Sequence, residues 1–461
     1  MKEQLQARLQ QLTIELSDSF DVVKRHLQIE GHDAILLFLS SLSDSQLISN
    51  LVEGLTITAT NHVELTFYPG SVEKVKDPKK AVINMLSGQC LVLLDSSQYY
   101  FCIETRHYPS RSNAEPSVER SVRGAHDGFV ENVILNVGLI RRRIRDPRLS
   151  VIMHKEGVKT RTDVAYVYIK HLVDPDVLSD FETRMKQLSE TEILSERNLV
   201  EQLYGKTLNP YPHVRYTERP DICAIHLLQG YLVALVDNAP TAVILPTTFF
   251  EQTKQIEEYT QTTIVASFTR ILRLIGILFS LYLLPLWIAL VIDQNPTMLH
   301  LPMKNVHLFT FGFQIILADI VVEWIRQSLI HTPTILSSIM SFIAVFVLGD
   351  MAIELGAYTK EILIMVALCN IGNLLTPSYE LSLANKVFRI FIGALALFFG
   401  QTGFCFGVFL HIVVLMSTKT IKFPYLYPLI PFSYKECSRI LFGSPIRVNK
   451  ARKKINMIYL I

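Results

Sequence analysis

Residues Phe309–Pro333 read FTFGFQIILADIVVEWIRQSLIHTP, a run apolar enough for a membrane that nevertheless carries charge at regular spacing. At about 100° per residue, Asp319, Glu323 and Arg326 fall on one narrow side of a helix, with Leu317, Ile320, Val321, Trp324 and Ile325 on the other. One face suits lipid or protein, the other water or a partner. A charged side chain at the bilayer centre costs roughly 2.5 to 3.5 kcal/mol on insertion scales. Such a face therefore persists only against other helices, a water-filled path or the interface.

The composition agrees with a chain divided in this way. Hydrophobic residues make up 49% and charged residues 19% of 461 residues, and the mean hydropathy is +0.29. These values reconcile if apolarity is concentrated, and it is: charges are spread evenly up to Arg270, whereas long stretches from Ile271 to Met416 carry almost none. The expected fold class is a two-subdomain α/β cytoplasmic region followed by an α-helical multi-span membrane domain. A formal net charge of +2 lacks the broad cationic surface of a nucleic-acid binder. The six cysteines show no CxxC or zinc spacing and read as reduced packing residues. No metal and no cofactor are expected. The opening MKEQLQARLQQLTIEL has charge where a signal peptide needs its apolar core, so the N-terminal half is expected in the cytoplasm.

Residues 1–32 read as a polar helix or tail. Subdomain 1, 33–190, opens with the apolar strand AILLFL and a helix capped by Ser43 or Asp44. A hairpin follows from Gln89–Ser96 and Tyr99–Thr105, then a helix over Glu131–Arg143, strands at Leu149–His154 and Val164–Leu172, and a helix opened by Asp174-Pro175. The cations Arg141, Arg142, Arg143 and Arg145 close the Glu131–Arg143 helix; a solvated or ion-paired helix end, a subunit contact and anionic headgroups all fit them. Subdomain 2, 191–260, is expected to carry strands at Ile222–Leu228, Tyr231–Asp237 and Thr241–Leu245. Between the subdomains, His213, Arg215, Tyr216 and Arg219 suit a ligand or subunit contact, or simply a linker. Gly205-Lys206-Thr207 ends like a phosphate loop, but Val200 stands where its first glycine belongs.

The membrane domain, 261–417, offers spans at 271–292, 334–355, 361–377 and 388–416, with 308–330 interfacial or re-entrant. Six crossings, with 308–330 spanning and 388–416 split, is the alternative. Asp350 and Glu354 lie one turn apart at the end of the second span, Pro285 interrupts the first, and Gly403 and Gly407 form a GxxxG pair. The tail, 418–461, is the densest cationic region near any span. It is expected on the cytoplasmic side, where anionic lipid is its natural partner.

Several stretches together resemble the A-subunit family of spore germinant receptors, the GerA family. They are SVRGAHDGFVENVILNVGLIRRRIRDPRL from Ser121, NPYPHVRYTERPDICAIHLLQGYLVALVDNAPTAVIL from Asn209, IHTP and GDMAIELG within 330–356, TPSYELSLAN from Thr376, and FPYLYPLIPF from Phe423. The resemblance implies a protein of the inner spore membrane, with a cytoplasmic domain of two α/β subdomains. It also implies oligomeric assembly with other membrane subunits into channels that release monovalent cations early in germination. The chain departs from the family pattern at Ala125-His126-Asp127 and in the short MKNVHLFTFGF lead into the charged stretch, which weighs against direct nutrient sensing.

On this reading, the carboxylates of Asp319, Glu323, Asp350 and Glu354, repeated by symmetry in a homo-oligomer, would favour cations. The bland alternative pairs Glu323 with Arg326 inside one helix. A secondary transporter should show related halves, and no such repeat is visible. A membrane-anchored enzyme finds no HExxH, GxSxG, GxGxxG or complete Walker motif. A scaffold without its own pore stays open. The topology is testable: a cysteine introduced at Ser189 should resist impermeant reagents applied outside intact cells, and its labelling from outside would reverse the orientation.

Overall fold

The structure, a computed structural model, describes residues 2–29, 31–58, 62–65, 71–108, 119, 124–188, 192–293, 308–330 and 351–442. The chain divides into two compact units, the first taking in Met1–Lys206 and Val214–Pro246, the second Thr207–His213 and Thr247–Pro445. The break at Pro246 falls ahead of the boundary expected at 260.

The first unit carries two five-stranded sheets, antiparallel throughout. One has the order β1-β2-β6-β7-β5, from β1 (Val22–Ile29), β2 (His32–Leu39), β5 (Val72–Val75), β6 (Gln89–Leu94) and β7 (Tyr100–Glu104). A separate two-stranded ribbon joins β3 (Leu55–Thr58) to β4 (His62–Leu65). The run AILLFL is continuous rather than alternating because β2 is covered on both faces. Ile35, Leu37 and Leu39 join Leu91 and Leu93 under α1 (Lys2–Glu15) and α3 (Pro78–Leu86). Ala34, Leu36 and Phe38 join Cys90, Val92 and Leu94 under α2 (Ser45–Gly54). Residues 1–32 are therefore more than a tail. Leu5, Leu9 and Leu12, at helical spacing, bury α1 on the core, and β1 forms the sheet edge. Asp44 caps α2 by accepting from the amides of Gln46 and Leu47.

The second sheet has the order β10-β12-β11-β9-β8, from β8 (Leu149–Glu156), β9 (Thr162–Ile169), β10 (Arg215–Thr217), β11 (Leu232–Val236) and β12 (Ala242–Leu245). β9 pairs with β11, so the boundary expected near 190 lies inside one sheet. The helix α4 (Val133–Arg143) precedes β8, and α5 (Pro175–Lys186), α6 (Glu196–Tyr204) and α7 (Pro220–Leu228) lie between β9 and β11. The last of these replaces the strand expected at Ile222–Leu228. A short apolar run does not distinguish the two structures, and Pro220 at the first turn, with Asp221 beside it, starts a helix.

The cations at the end of α4 find partners within the chain. Arg141, 2% exposed, donates from Nε and Nη2 to Asp21 at 3.1 and 3.0 Å, and Ser19 and Ser41 donate to the same carboxylate at 2.8 and 2.7 Å. Arg143 pairs with Asp127 at 2.5 Å, Arg142 lies over the Tyr108 ring, and Arg145 donates to Ser87 Oγ. Burial alone would raise the Asp21 pKa, but the charge and hydrogen bonds of Arg141, with those of Ser41 and Ser19, bring it below its ordinary value.

The second unit opens with α8 (Phe249–Gln252) and α9 (Glu257–Thr260), followed by α10 (Thr263–Ile292) and α11 (Leu308–Ile330). Helices follow at Lys360–Leu374, Tyr379–Ser417 and Tyr434–Phe442. Among the described residues, two helices, Thr263–Ile292 and Tyr379–Ser417, are long and apolar enough to cross a membrane. Most of the span expected at 334–355 lies outside the described residues. The 388–416 stretch is not one continuous helix, because at Gly400 the backbone turns to φ 58° and ψ −138°, a break that the alternative with 388–416 split allows. The second arm folds back along the first: side chains at Gly403 and Gly407 would strike the Leu395 carbonyl and Ile392. The amide of Gln401 starts the returning arm by donating to Asp293, the residue that caps the end of α10. Trp287, Phe311, Ile315, Met365 and Leu397 form the shared core of these helices.

Replacing Arg141 by Met leaves a buried carboxylate uncompensated and is expected to cost about 3–5 kcal/mol, read as a lower melting temperature of the full-length protein. Because the folded Asp21 pKa is depressed, the pair's contribution is complete above the ordinary carboxylate value and is lost as pH falls through the folded one. In the variant, burial acts on Asp21 without Arg141 and raises its pKa, so the difference between parent and variant should be largest at neutral pH, shrink as falling pH protonates that carboxylate, and shrink further below about pH 4 as the parent's own pair is lost. Coincident melting of the two proteins at neutral pH would contradict this.

Candidate functional site

The charged face of α11 does not look into an open lumen. Phe311, Ile315 and Ala318 turn Asp319 inward, leaving its carboxylate 2% exposed, and the first arm of Tyr379–Ser417 brings Lys386 and Arg389, 3% and 2% exposed, against it. Arg389 grips Asp319 with both ends of its fork, Nη2 to Oδ1 at 2.6 Å and Nε to Oδ2 at 2.9 Å. Its remaining donors reach the carbonyl and hydroxyl of Ser280 on α10, at 3.0 and 3.2 Å, and Asn370 Oδ1 at 3.2 Å. Lys386 bridges to the next rung, donating to Glu323 Oε2 at 3.0 Å and Asn370 Oδ1 at 3.1 Å, with Asp319 Oδ1 at 3.6 Å. Glu323 also accepts from Arg326 at 2.7 Å, and Arg326 covers the Tyr379 ring and reaches Ser382. Asn370 completes the set by donating to Asp319 Oδ1 at 2.9 Å.

The result is a ladder of alternating charge running through four helices: α10, α11, Lys360–Leu374 and Tyr379–Ser417. Two carboxylates face three cations. Within one chain the face that the sequence offers as an attractor of cations is thus already neutralised, and slightly over-neutralised. Sequence reasoning singled out Asp319, Glu323 and Arg326 but not Lys386 and Arg389. Their spacing of three residues, which puts them on one helix face, was the available signal. Glu354 is exposed and stands apart from the ladder, and Asp350 lies outside the described residues.

The residues expected to cluster between subdomains separate. Arg219, 1% exposed, pairs with Asp221 at 2.8 Å and donates to the carbonyls of Glu119 and Ala125, tying loop to sheet, and Arg215 lies 3.8 Å from Glu119. Tyr216 is half-buried in β10. Burial raises the Glu119 pKa in spite of Arg215. His213 belongs to the other unit, with Nδ1 3.2 Å from the Lys419 carbonyl.

A second polar chain, not anticipated from sequence, lies two residues before His213. The Tyr211 hydroxyl is 2.5 Å from His411 Nε2 and 3.2 Å from Asn385 Oδ1, and Tyr282 Oη is 2.7 Å from His411 Nδ1. Asn385 Oδ1 can only accept, so Tyr211 donates to it and accepts from His411 Nε2–H, while Tyr282 donates to Nδ1. This chain seats the Thr207–His213 segment on both arms of the Tyr379–Ser417 pair.

Among known proteins, the family profile described as Bacillus/Clostridium GerA spore germination protein matches residues 10–455. Stage V sporulation protein AF of Bacillus subtilis (strain 168) is 38% identical over 455 residues, 95% of this chain and 92% of that protein. A protein of the same organism named as the uncharacterized membrane protein YfkQ is 26% identical, over 96% of this chain and 89% of its own. Among solved structures, the N-terminal domain of the A subunit of the Bacillus megaterium spore germinant receptor GerK3 aligns with 54% of this chain and 95% of its own, at 23% identity and a TM-score of 0.39.

Removing one side of the deepest rung should be costly and removing both should be less so. Arg389→Gln is expected to lower stability in mild detergent by about 3–5 kcal/mol, and adding Asp319→Asn should recover part of that loss. Strictly additive losses in the double variant would mean that the two side chains do not interact.

Proposed function

The chain belongs to the Bacillus/Clostridium GerA spore germination protein family, and we propose that it is a membrane subunit of a complex that releases cations across the inner spore membrane during germination. The observation that carries this reading is the ladder. Charged groups are expensive among apolar helices, and where they persist they commonly line ion paths. The pairing of Asp319 with Arg389 and of Glu323 with Lys386 gives the path a closed state, in which the carboxylates are occupied by the protein's own cations. Opening frees them, and several copies around an axis supply the lumen that one copy lacks. Other membrane subunits of the complex complete the assembly. The orientation that suits this role places the α/β region and the basic tail in the cytoplasm.

A scaffold or signalling subunit without its own pore is the second reading, favoured by the fact that the buried carboxylates are already satisfied. Glu323→Gln separates the two. It keeps volume and one hydrogen bond while removing charge, so under the channel reading protein level in spores should persist while cation release falls. Under the scaffold reading, cations left unpaired at membrane depth should instead lower the amount of assembled protein. Undiminished cation release from spores with normal protein level, repeated with Asp319→Asn, would remove the basis for a path along this face.

A further inference from the structure

The Tyr434–Phe442 helix is held at one particular level of α10. Arg270, 7% exposed, donates from Nη1 to the carbonyls of Arg439 and Ile440, at 3.2 Å for Arg439, and its Nε donates to Glu258 at 2.6 Å. Arg273, one turn further along, pairs with the same carboxylate and donates to Gln255 at 2.5 Å and the Thr253 carbonyl at 2.9 Å. α10 has 30 residues, about 45 Å at 1.5 Å each, some 15 Å more than a hydrocarbon core needs. The paired arginines stand where its charge-free run begins, at Leu274, so the helix tied to Arg270 lies at the headgroup level.

What that helix displays fits the same level. Tyr434, Cys437 and Leu441, at i, i+3 and i+7, share a face, and Lys435 and Arg439 lie on the opposite, polar side, where Arg439 pairs with Glu436 at 2.6 Å. Tyr434 is 78% and Phe442 60% exposed, and the preceding loop shows Phe432 at 70% and Leu429 at 48%. The first turns of α10, the helix tied to this one through Arg270, expose Ile264 and Phe268. Arg447, Lys450, Arg452, Lys453 and Lys454 follow in the sequence. Aromatic side chains, an apolar stripe and flanking cations together are what the interfacial layer of an anionic bilayer takes up.

We propose that the segment 429–442 is an interfacial anchor: its aromatic and apolar face enters the headgroup layer, and Lys435 and Arg439 bind anionic lipid headgroups there. This rests on the membrane reading of the chain. Hydrogen exchange by mass spectrometry on full-length protein in nanodiscs tests it, with phosphatidylcholine alone or with added phosphatidylglycerol. The anionic lipid should slow exchange across 434–442 by about tenfold or more, since each cation near such a surface contributes about 1 kcal/mol. Lys435→Gln with Arg439→Gln should weaken the lipid effect at 434–442 while leaving exchange in α10 unchanged. Equal exchange in both lipids, in protein whose α10 amides stay protected by the bilayer, overturns the anchor and leaves the membrane reading standing. Protection that follows the number of protein copies per disc assigns the face to a second subunit and overturns the anchor as well. Protein that stays in solution without lipid or detergent overturns both readings.

Discussion

The constraint on which the helical unit depends is the carboxylate of Asp319, held 2% exposed among apolar side chains. A lone charge there would be intolerable, so the fold must bring a cation to it, and the forked grip of Arg389 fixes the distance, rotation and register of α11 against the Tyr379–Ser417 pair. The reach of Arg389 to Ser280 recruits α10, and Asn370 recruits the Lys360–Leu374 helix. Apolar packing around Trp287 and Phe311 is permissive by comparison, because many rotations of smooth helices bury similar area. The ladder selects one of them.

The same logic recurs in the first unit at smaller scale. Asp21, fully buried, receives Arg141, Ser19 and Ser41, which ties α4 to the chain just before β1. The adjoining segment donates the amide of Phe20 to the Val151 carbonyl in β8. A buried carboxylate with a full set of donors thus links the two sheets of that unit, as another links four helices in the second. Specificity, more than net stability, is what such pairs supply.

Much of the fold was legible because its signals are local. Asp44, Asp174 and Pro175 mark helix starts where they are found, and the β6–β7 hairpin and the reach of α11 over 308–330 follow from periodicity. The failures share a cause, since they depend on what packs against what. A sparse Leu5-Leu9-Leu12 seam reads as a polar helix or a tail, with no sign of the sheet beneath it, and the apolar run of α7 fits strand and helix alike. The join of β9 to β11 spans more than sixty residues with no local mark. Gly400 breaks an otherwise uniform apolar run, so the sequence offered a split of 388–416 only as the alternative, and the positive φ and the folded-back arm show where the break falls. The site was half legible for the same reason: charges on one helix can be placed on a face by counting, whereas the partners of that face come from another helix more than fifty residues away. Tyr211 and His411, two hundred residues apart, had no signal at all.

The central claim is that the carboxylates of α11 are bound by the cations of the neighbouring helix when the assembly is closed. A side-chain-resolved electron cryomicroscopy structure of the full-length protein, assembled in a lipid bilayer without a germination stimulus, measures this directly. The account predicts both nitrogens of the Arg389 fork within about 3.2 Å of the Asp319 oxygens, and the Lys386 ammonium in contact with Glu323. Asp319 and Glu323 directed into a water-filled axial lumen, with Lys386 and Arg389 turned away from them, would contradict it.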